Sequence, residues 1–349
     1  MFGIDFKQGL KGIIFYIWYR RILNQMPGCT KLLLISFICC CFGFLQAQEP
    51  AYILDYSDKL LLRLYTISKV NSLTIENRLE ELGLELLPNG NTNLGLGFNY
   101  KKFGLGLAFG LPLSAEKKRK FGKTQRLDIQ GSMYGRKIGA DGFLQSYRGY
   151  YNSNPTDFID WTSDVLPQIK SMRILSLGVT GFYLFNSDKY SYRAAFVRDE
   201  IQKKSAGSFL LGLFGNYDEA RTDAGFVPQE FPDSLRTKIN VKGFKNLAIG
   251  FSAGYAHNFV IKEKFLLGLA IIPGFGYQRV SITELNGSIR NEDQPAGQVM
   301  ARIGLGYEFK PFYLALTGSA NWRNIDFSPY NFKLATEQFR FIIGKRLGI

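Results

Sequence analysis

The residues of this sequence that could serve as nucleophile or general base do not have the spacing of a catalytic site. His257 is the one histidine of the 349 residues, and Ser252 lies five positions before it. A serine hydrolase needs its serine and histidine in hydrogen-bond contact. Successive side chains of a strand alternate between its two faces, so this spacing places Ser252 and His257 on opposite faces. We therefore expect no enzyme, and His257 is interpreted as an interfacial or loop residue.

Cofactor chemistry has equally little support in the sequence. One histidine and four cysteines, Cys29 and Cys39 to Cys41, exclude most zinc, haem, iron–sulfur and disulfide frameworks. The glycine strings at 95–97 and 104–106 keep the two-residue period of a strand and precede no helix, which argues against a phosphate-binding loop. We expect no cofactor and no metal.

A set of charged residues is predicted to point into one narrow interior. These residues lie on the small-residue face of period-two segments: Arg126, Asp128, Arg302, Glu308, Arg340 and Arg346. A barrel of about twelve strands leaves little room inside, so we expect these groups to pair as a plug of salt bridges. The alternative is an unpaired arginine-rich lining, which would favour anions in a conducting channel.

The elements that must position these residues are strands of about ten residues. In 247–256, large apolar residues such as Leu247, Ile249 and Phe251 share one face, and Ala, Gly and Ser occupy the other. A soluble sandwich would carry Lys, Glu and Thr on its second face. A barrel in lipid has an apolar outside and small residues inside. The pattern predicts an all-β, transmembrane, up-and-down antiparallel β-barrel.

The same alternation predicts about twelve strands, or fourteen if 59–66 and 72–77 are also strands. The twelve segments are 93–100, 103–111, 125–135, 142–151, 170–184, 190–198, 207–217, 244–257, 262–277, 297–309, 312–323 and 336–347. Helical periodicity is scarce, and 72–87 is its one modest instance after the first 47 residues. In bacterial barrels short turns face the periplasm and long loops the exterior. The second half of the predicted strands obeys this rule, whereas 112–124, 152–169 and 199–206 fall on the periplasmic side and break it.

Residues 1–47 resemble a secretory signal peptide. The apolar run from Leu32 to Leu45 follows Lys31 and precedes Gln46-Ala47-Gln48, and it is too short to span a membrane. Translation from Met26 would give a signal of ordinary length. Cleavage after Ala47 removes all four cysteines and lowers the net charge from +14 to +10. We expect a signal peptide at 1–47, a segment at 48–92 with one or two strands, and the barrel at 93–349.

Several local signatures resemble an uncharacterised family of predicted outer-membrane proteins of Gram-negative bacteria, known as domain of unknown function 4421. The similarity begins at Tyr52 and covers most of the chain after the signal peptide. Its most distinctive parts are Pro88-Asn89 with 93–100, Gly122-Lys123-Thr124 with Asp128, 141–145 with 147–149, 191–196, and the polar string 202–208. The resemblance implies the barrel and the compartment, and it implies no activity.

The sequence thus predicts a protein of the cell outer membrane that is structural or forms a narrow or plugged pore. The alternatives are an outer-membrane enzyme acting on lipid or glycan, and a soluble periplasmic β-barrel that binds lipid. As partners we expect outer-membrane lipids and the barrel-assembly machinery. The basic run 117–120 with Lys123 is a solvated loop or a contact for phosphate-bearing lipid headgroups. We expect a monomer and no nucleic-acid partner, because the chain leaves the cytoplasm.

Overall fold

A computed structural model describes residues 52–90, 92–100 and 103–348 of the chain. The predicted signal peptide at 1–47 and its cysteines lie outside the described residues. Within them, no helix is both long enough and apolar enough to cross a membrane.

Strands dominate the described residues, with three short helices between them. The strands are β1 (Ile53–Asp55), β2 (Leu60–Asn77), β3 (Leu82–Pro88), β4 (Thr92–Tyr100), β5 (Phe103–Gly110), β6 (Gln125–Tyr134), β7 (Ile138–Asn152), β8 (Gln168–Leu184), β9 (Glu200–Gln202), β10 (Ala206–Arg221), β11 (Val241–Ile261), β12 (Phe265–Glu284), β13 (Ile289–Phe309), β14 (Phe312–Phe327) and β15 (Tyr330–Leu347). The helices are α1 (Ala115–Phe121), α2 (Tyr192–Phe196) and α3 (Asp233–Arg236), and a 3-10 turn covers Pro155–Asp157.

Ten strands close into an antiparallel barrel: β2, β3, β7, β8 and β10 to β15. The ring closes where β15 pairs with β2 along its whole length, from Tyr330 opposite Asn77 to Leu347 opposite Leu60. We call the end of the barrel at Leu347 the lower end and the end at Tyr330 the upper end. The prediction of an all-β antiparallel barrel is confirmed, whereas the closed ring has ten strands rather than about twelve.

The difference in strand number arises because β2 changes partners halfway along its length. Its upper part, Leu73–Asn77, pairs with β3, and its lower part, Leu61–Ser68, pairs with β4. Similarly, β7 pairs with β3 near the upper end and with β6 below. The β4–β5 hairpin therefore enters the lower wall from one side and β6 from the other.

Among the described residues, no backbone pairing joins β5 to β6. We call the interval between these two strands the seam. The ring stays closed above it, because β3 bridges β2 and β7 there.

Three predicted elements are wrong in detail. The segment 190–198 is not a strand: it contains α2 and belongs to a connection that enters the lower end of the barrel. The weak helical period at 72–87 belongs to the β2–β3 hairpin, and 59–66 and 72–77 are two parts of the single strand β2. Without a strand at 190–198, the long connection 153–167 moves to the upper end, beside 222–240.

A belt of exposed apolar side chains surrounds the lower part of the wall. On β12 it extends from Phe265 to Tyr277 and ends where Arg279 begins the polar upper part. Phe265, Tyr307 and Phe309 form a chain of ring contacts at its lower edge, with centroid separations of 4.6 and 6.0 Å. The outward face therefore has the apolar belt that the strand alternation predicts.

The upper interior is filled by a hydrophobic core. The connection 222–240 folds into it and contributes Phe226, Val227, Phe231 and Ile239. Wall residues such as Leu73, Ile282 and Phe332 pack there with no exposed surface. The upper half of the barrel is thus packed like a soluble domain rather than open like a porin.

Candidate functional site

The connection 185–205, which we call the plug, fills the lower end of the barrel. Its strand β9 pairs with β1 in a separate two-stranded sheet, and its helix α2 contacts β12 and β13. The Ser191 hydroxyl caps α2 by accepting a hydrogen bond from the Ala194 amide at 2.9 Å. A Cβ at Gly268 or Gly304 would lie 2.4 or 2.6 Å from Ala195, so the glycines of the wall allow α2 to approach.

Two carboxylates of the plug are buried beside one arginine. Arg193 donates two hydrogen bonds to Asp199, at 3.0 and 2.6 Å, and the Ser191 hydroxyl donates to Glu200 at 2.5 Å. Burial raises the pKa of both Asp199 and Glu200 above their ordinary values, against the opposing effect of Arg193. These contacts stabilise the plug internally.

A second group of charges joins the plug to the wall. Glu308 on β13 accepts from Arg198 of the plug at 2.6 Å and from Arg346 on β15 at 2.6 Å. Arg346 also donates to the Arg198 carbonyl at 2.7 Å and is 1% exposed. A Cβ at Gly306 would lie 2.2 Å from the Arg198 guanidinium carbon, so this glycine makes room for the arginine. Glu308 and Arg346, two residues of the predicted charged set, are thus brought together, with Arg198 as an additional partner.

Arg302 lies farther up β13 and belongs to a different group. Its guanidinium donates to Asp141 of β7 and to the Tyr134 hydroxyl of β6, both at 2.7 Å. Asp128 of β6 instead pairs with Lys69 of β2 at 2.6 Å. Arg126 donates to the Asn93 side chain at 2.6 Å.

A buried ion pair crosses the interior above these groups. Arg323 of β14 donates to both carboxylate oxygens of Asp218 on β10, at 3.0 and 3.1 Å, and the Ser176 hydroxyl donates to the same carboxylate at 2.6 Å. Asp218 is wholly buried and Arg323 is 4% exposed. Desolvating such a pair costs free energy, and removing either partner would leave a buried charge without its counter-charge.

Between these layers lies a cavity of about 270 Å³. Its lining includes Arg302 and Arg340, two of the predicted residues, together with Arg63 of β2. It also includes Leu105 and Gly106 of β5 and Gln130, Gly131 and Ser132 of β6, so both edges of the seam reach it. This mid-barrel cavity is the candidate functional site.

The predicted charged residues are therefore distributed over several groups in the interior. Arg302 and Arg340 share the cavity, Glu308 and Arg346 share the plug contact, and Asp128 and Arg126 have separate partners.

Sequence reasoning missed Arg63, Asp141, Arg198, Asp218 and Arg323. Arg63 could have been found, because it alternates with the exposed leucines Leu62 and Leu64. Arg198 could not have been found, because the sequence predicts a strand at 190–198 rather than a connection inside the barrel.

Ser252 and His257 do not meet in the structure. Ser252 is buried in the interior, whereas His257 lies on the outward face, where its Nδ1 is 3.2 Å from the Tyr255 hydroxyl. Among the described residues, no cluster of three histidine, cysteine, aspartate or glutamate side chains is arranged to hold a metal ion.

Comparison with known proteins gives one strong match. The model of the family described as domain of unknown function DUF4421 matches residues 48–346, which confirms the resemblance seen in the sequence. No curated protein sequence has significant similarity to the chain.

Solved structures give weaker matches. The outer membrane protease OmpT from Escherichia coli shares 8% identity at a TM-score of 0.37, with 84% of this chain and 98% of OmpT covered. The translocator domain of the autotransporter NalP from Neisseria meningitidis shares 13% identity at a TM-score of 0.33, with 84% of this chain and 90% of the translocator domain covered. The toluene transporter TodX from Pseudomonas putida shares 8% identity at a TM-score of 0.26, with 84% of this chain and 90% of TodX covered. Because these TM-scores are below 0.5, we base no inference on them.

Proposed function

Since this chain belongs to the DUF4421 family, a domain family of unknown function, we propose its role from its own geometry: an outer-membrane β-barrel that is closed at both ends. It acts as a structural or binding protein in the membrane rather than as an open pore. The observation that carries this proposal is a lipid-facing belt around a lumen filled from both ends. The proposal includes no catalytic activity.

The belt has the height that an outer membrane requires. At about 3.3 Å per residue and a tilt of about 40°, the exposed run from Phe265 to Tyr277 covers about 30 Å along the barrel axis. Outer-membrane barrels have an apolar band of about 25 Å flanked by aromatic residues. Such a belt would be insoluble in the periplasm, which favours the membrane over the soluble alternative.

Loop lengths support an orientation with the lower end in the periplasm. The lower end carries the short connections 135–137, 262–264 and 310–311. The upper end carries the two long connections 153–167 and 222–240, besides the short turns 78–81, 285–288 and 328–329. Short periplasmic turns and long exterior loops are the rule for these barrels. The one long lower connection is the plug, which fills the barrel instead of extending into solvent.

Basic residues at the upper side of the belt fit a membrane partner. Four lysines lie in α1 or just after it, before β6 begins: Lys117, Lys118, Lys120 and Lys123. Arg119, in the same basic run, pairs with Asp164. Lysines near the membrane surface attract the phosphates of lipid headgroups. We therefore propose phosphate-bearing outer-membrane lipids as partners of these lysines. The barrel-assembly machinery as a second partner and a monomeric state are expectations from the sequence.

Ion conductance in a planar bilayer tests the closed barrel. We expect the purified wild-type protein to be silent. Deleting the plug residues 186–205 with a short linker should also leave it silent, because the hydrophobic core still seals the upper half. Removing the inward connection residues 223–239 together with the plug should give measurable conductance. Steady wild-type current altered by Arg302→Ala would instead indicate a pore.

Each protein must first be shown to be a folded membrane barrel. Heat-modifiable gel migration and a β-rich circular dichroism spectrum provide that control for the wild type and both deletions. Release of the wild-type protein from membranes by carbonate or high salt would contradict the outer-membrane proposal itself.

A further inference from the structure

We propose that the mid-barrel cavity binds the anionic headgroup of a single-chain amphiphile that enters from the membrane through the seam. This inference rests on the proposed function, because it needs the belt to lie in lipid. The ligand class is a carboxylate or phosphate carried on one long apolar chain. Four observations carry it: the charge of the cavity, its unpaired donors, the closed ends of the barrel, and the unpaired strand edges.

The cavity has more positive charge than its own acids can balance. Four arginines and two aspartates line it. Arg302 pairs with Asp141 at 2.7 Å, and Arg193 pairs with Asp199 at 2.6 Å. Among the residues that the structure describes, Arg63 and Arg340 have no carboxylate within ion-pair distance. Two arginines without counter-charges inside a protein favour an anion from outside.

The same side chains leave hydrogen-bond donors without acceptors. In the described part of the chain, the Nε atoms of Arg63, Arg302 and Arg340 are buried and have no hydrogen-bond partner. Arg340 makes one weak contact, from its Nη2 to the Gln338 side-chain oxygen at 3.2 Å. Buried donors of this kind are rarely left unsatisfied, and guanidinium groups match the oxygens of carboxylates and phosphates.

Packed groups of the described chain occupy the lumen on both sides of this cavity. Below it, the plug and the Arg198–Glu308–Arg346 group occupy the lumen. Above it lie the Asp218–Arg323 pair and the hydrophobic core. A ligand must therefore enter through the wall.

The wall has its opening at the seam. There the facing edges of β5 and β6 have no pairing partner in the described chain, although both strands lie within the apolar belt. Leu107 of β5 and Ile129 of β6 are 70% and 56% exposed on the outward face, while Gly106 of β5 and Gln130 of β6 line the cavity inside. A side opening with apolar edges and an arginine-lined interior matches a molecule with an apolar chain and an anionic head.

The volume of the cavity determines which part of such a ligand it can hold. At about 270 Å³ it is at the small end of ligand pockets, which start at about 300 Å³. It accommodates a headgroup and the first carbons, and the rest of the chain extends through the seam into lipid. A large soluble anion has no comparable route.

Binding can be measured on the full-length protein in nanodiscs of zwitterionic phosphatidylcholine. Oleate and oleoyl lysophosphatidic acid should bind saturably, whereas oleyl alcohol lacks the charge and inorganic phosphate lacks the chain, so neither should bind. If only lysophosphatidic acid binds, the headgroup is a phosphate; if only oleate binds, it is a carboxylate. Equal binding of inorganic phosphate would overturn the amphiphile, and equal binding of oleyl alcohol would overturn the arginine site.

Substitution of the two arginines without carboxylate partners tests the headgroup contact. The double variant Arg63→Gln with Arg340→Gln should weaken binding roughly tenfold or more, since each change removes charged hydrogen bonds. Arg279→Gln is the matched control, because Arg279 is an exposed arginine paired with Asp293 outside the barrel. Unchanged affinity in a double variant that keeps heat-modifiable migration would overturn the site.

A tether across the seam tests the route without touching the arginines. The chain has no cysteine after Cys41, so introduced pairs can be bridged selectively once Cys29 and Cys39 to Cys41 are replaced by serine. Bridging Leu107→Cys to Ile129→Cys with a bismaleimide should slow oleate exchange at least tenfold. The control pair Leu269→Cys and Ile303→Cys lies opposite one another in the closed wall and should have no effect. Equal exchange in both tethered proteins would reject the lateral route.

The two proposals fail in different ways. A wild-type protein that inserts into nanodiscs and binds neither oleate nor lysophosphatidic acid overturns the ligand site and leaves the outer-membrane barrel standing. A protein that does not insert overturns the outer-membrane proposal first.

Discussion

Glu308 shows how a single residue can hold several parts of the barrel together. It is 8% exposed and accepts hydrogen bonds from Arg198 and Arg346, each itself buried. We predict that Glu308→Gln destabilises the folded protein by about 3–5 kcal/mol, because two buried arginines then lose their shared counter-charge. Urea unfolding of the detergent-folded protein, followed by tryptophan fluorescence, measures this loss.

Asp293 is the matched control on the same strand. It pairs with Arg279 on the exposed surface, where an ion pair is worth at most about 1 kcal/mol. Asp293→Asn should therefore shift the unfolding midpoint little. Equal effects of the two substitutions would mean that the buried group contributes no special stability.

The sequence predicted the charged residues better than their partners. Arg302, Glu308 and Arg346 lie on the face that strand alternation assigns to the interior, since that assignment depends only on the two-residue period. It could not tell that Arg302 pairs with Asp141, because that contact depends on which strands lie side by side across the lumen.

At the scale of elements, the plug was the main error, and its cause is physical. Ser191 to Phe196 alternates in polarity like a strand, but Ser191 caps a helix and Asp199 binds Arg193 within the same connection. Local hydrogen bonds thus override the strand pattern. The long wall strands β11 to β15 were predicted well, because an apolar outward face opposite a packed inner face gives a strict alternation.

The packing of α2 against the wall can be tested at the wall glycine Gly268. We predict that Gly268→Val displaces α2, because a Cβ there would lie 2.4 Å from the Ala195 Cβ. Faster hydrogen exchange across 186–205, with the barrel strands unchanged, is the expected result. Gly297→Val is the control, since a Cβ at that position meets no atom within 4 Å. Unchanged exchange in Gly268→Val would show that α2 does not depend on this contact.

At the scale of the whole molecule, stability should depend on the upper hydrophobic core as well as on the apolar belt. Phe226 belongs to the connection 222–240, yet it has no exposed surface. We predict that Phe226→Ala costs about 3–5 kcal/mol of unfolding free energy, as for a buried aromatic residue of a soluble protein. The unfolding midpoint in urea measures this cost. Phe185→Ala, at an aromatic residue that is 61% exposed, is the control expected to change it little.

The change of strand number within one wall has a mechanical consequence. In the lower half β4, β5 and β6 lie between β2 and β7, and in the upper half β3 alone joins them. The upper ring therefore acts as a collar, and below it β5 and β6 each have one edge without a backbone pairing partner in the described chain. Widening or narrowing of the gap breaks none of the hydrogen bonds that close the collar. We therefore expect any local movement of the seam to leave the collar closed, with β2 and β7 as the strands that connect the two parts.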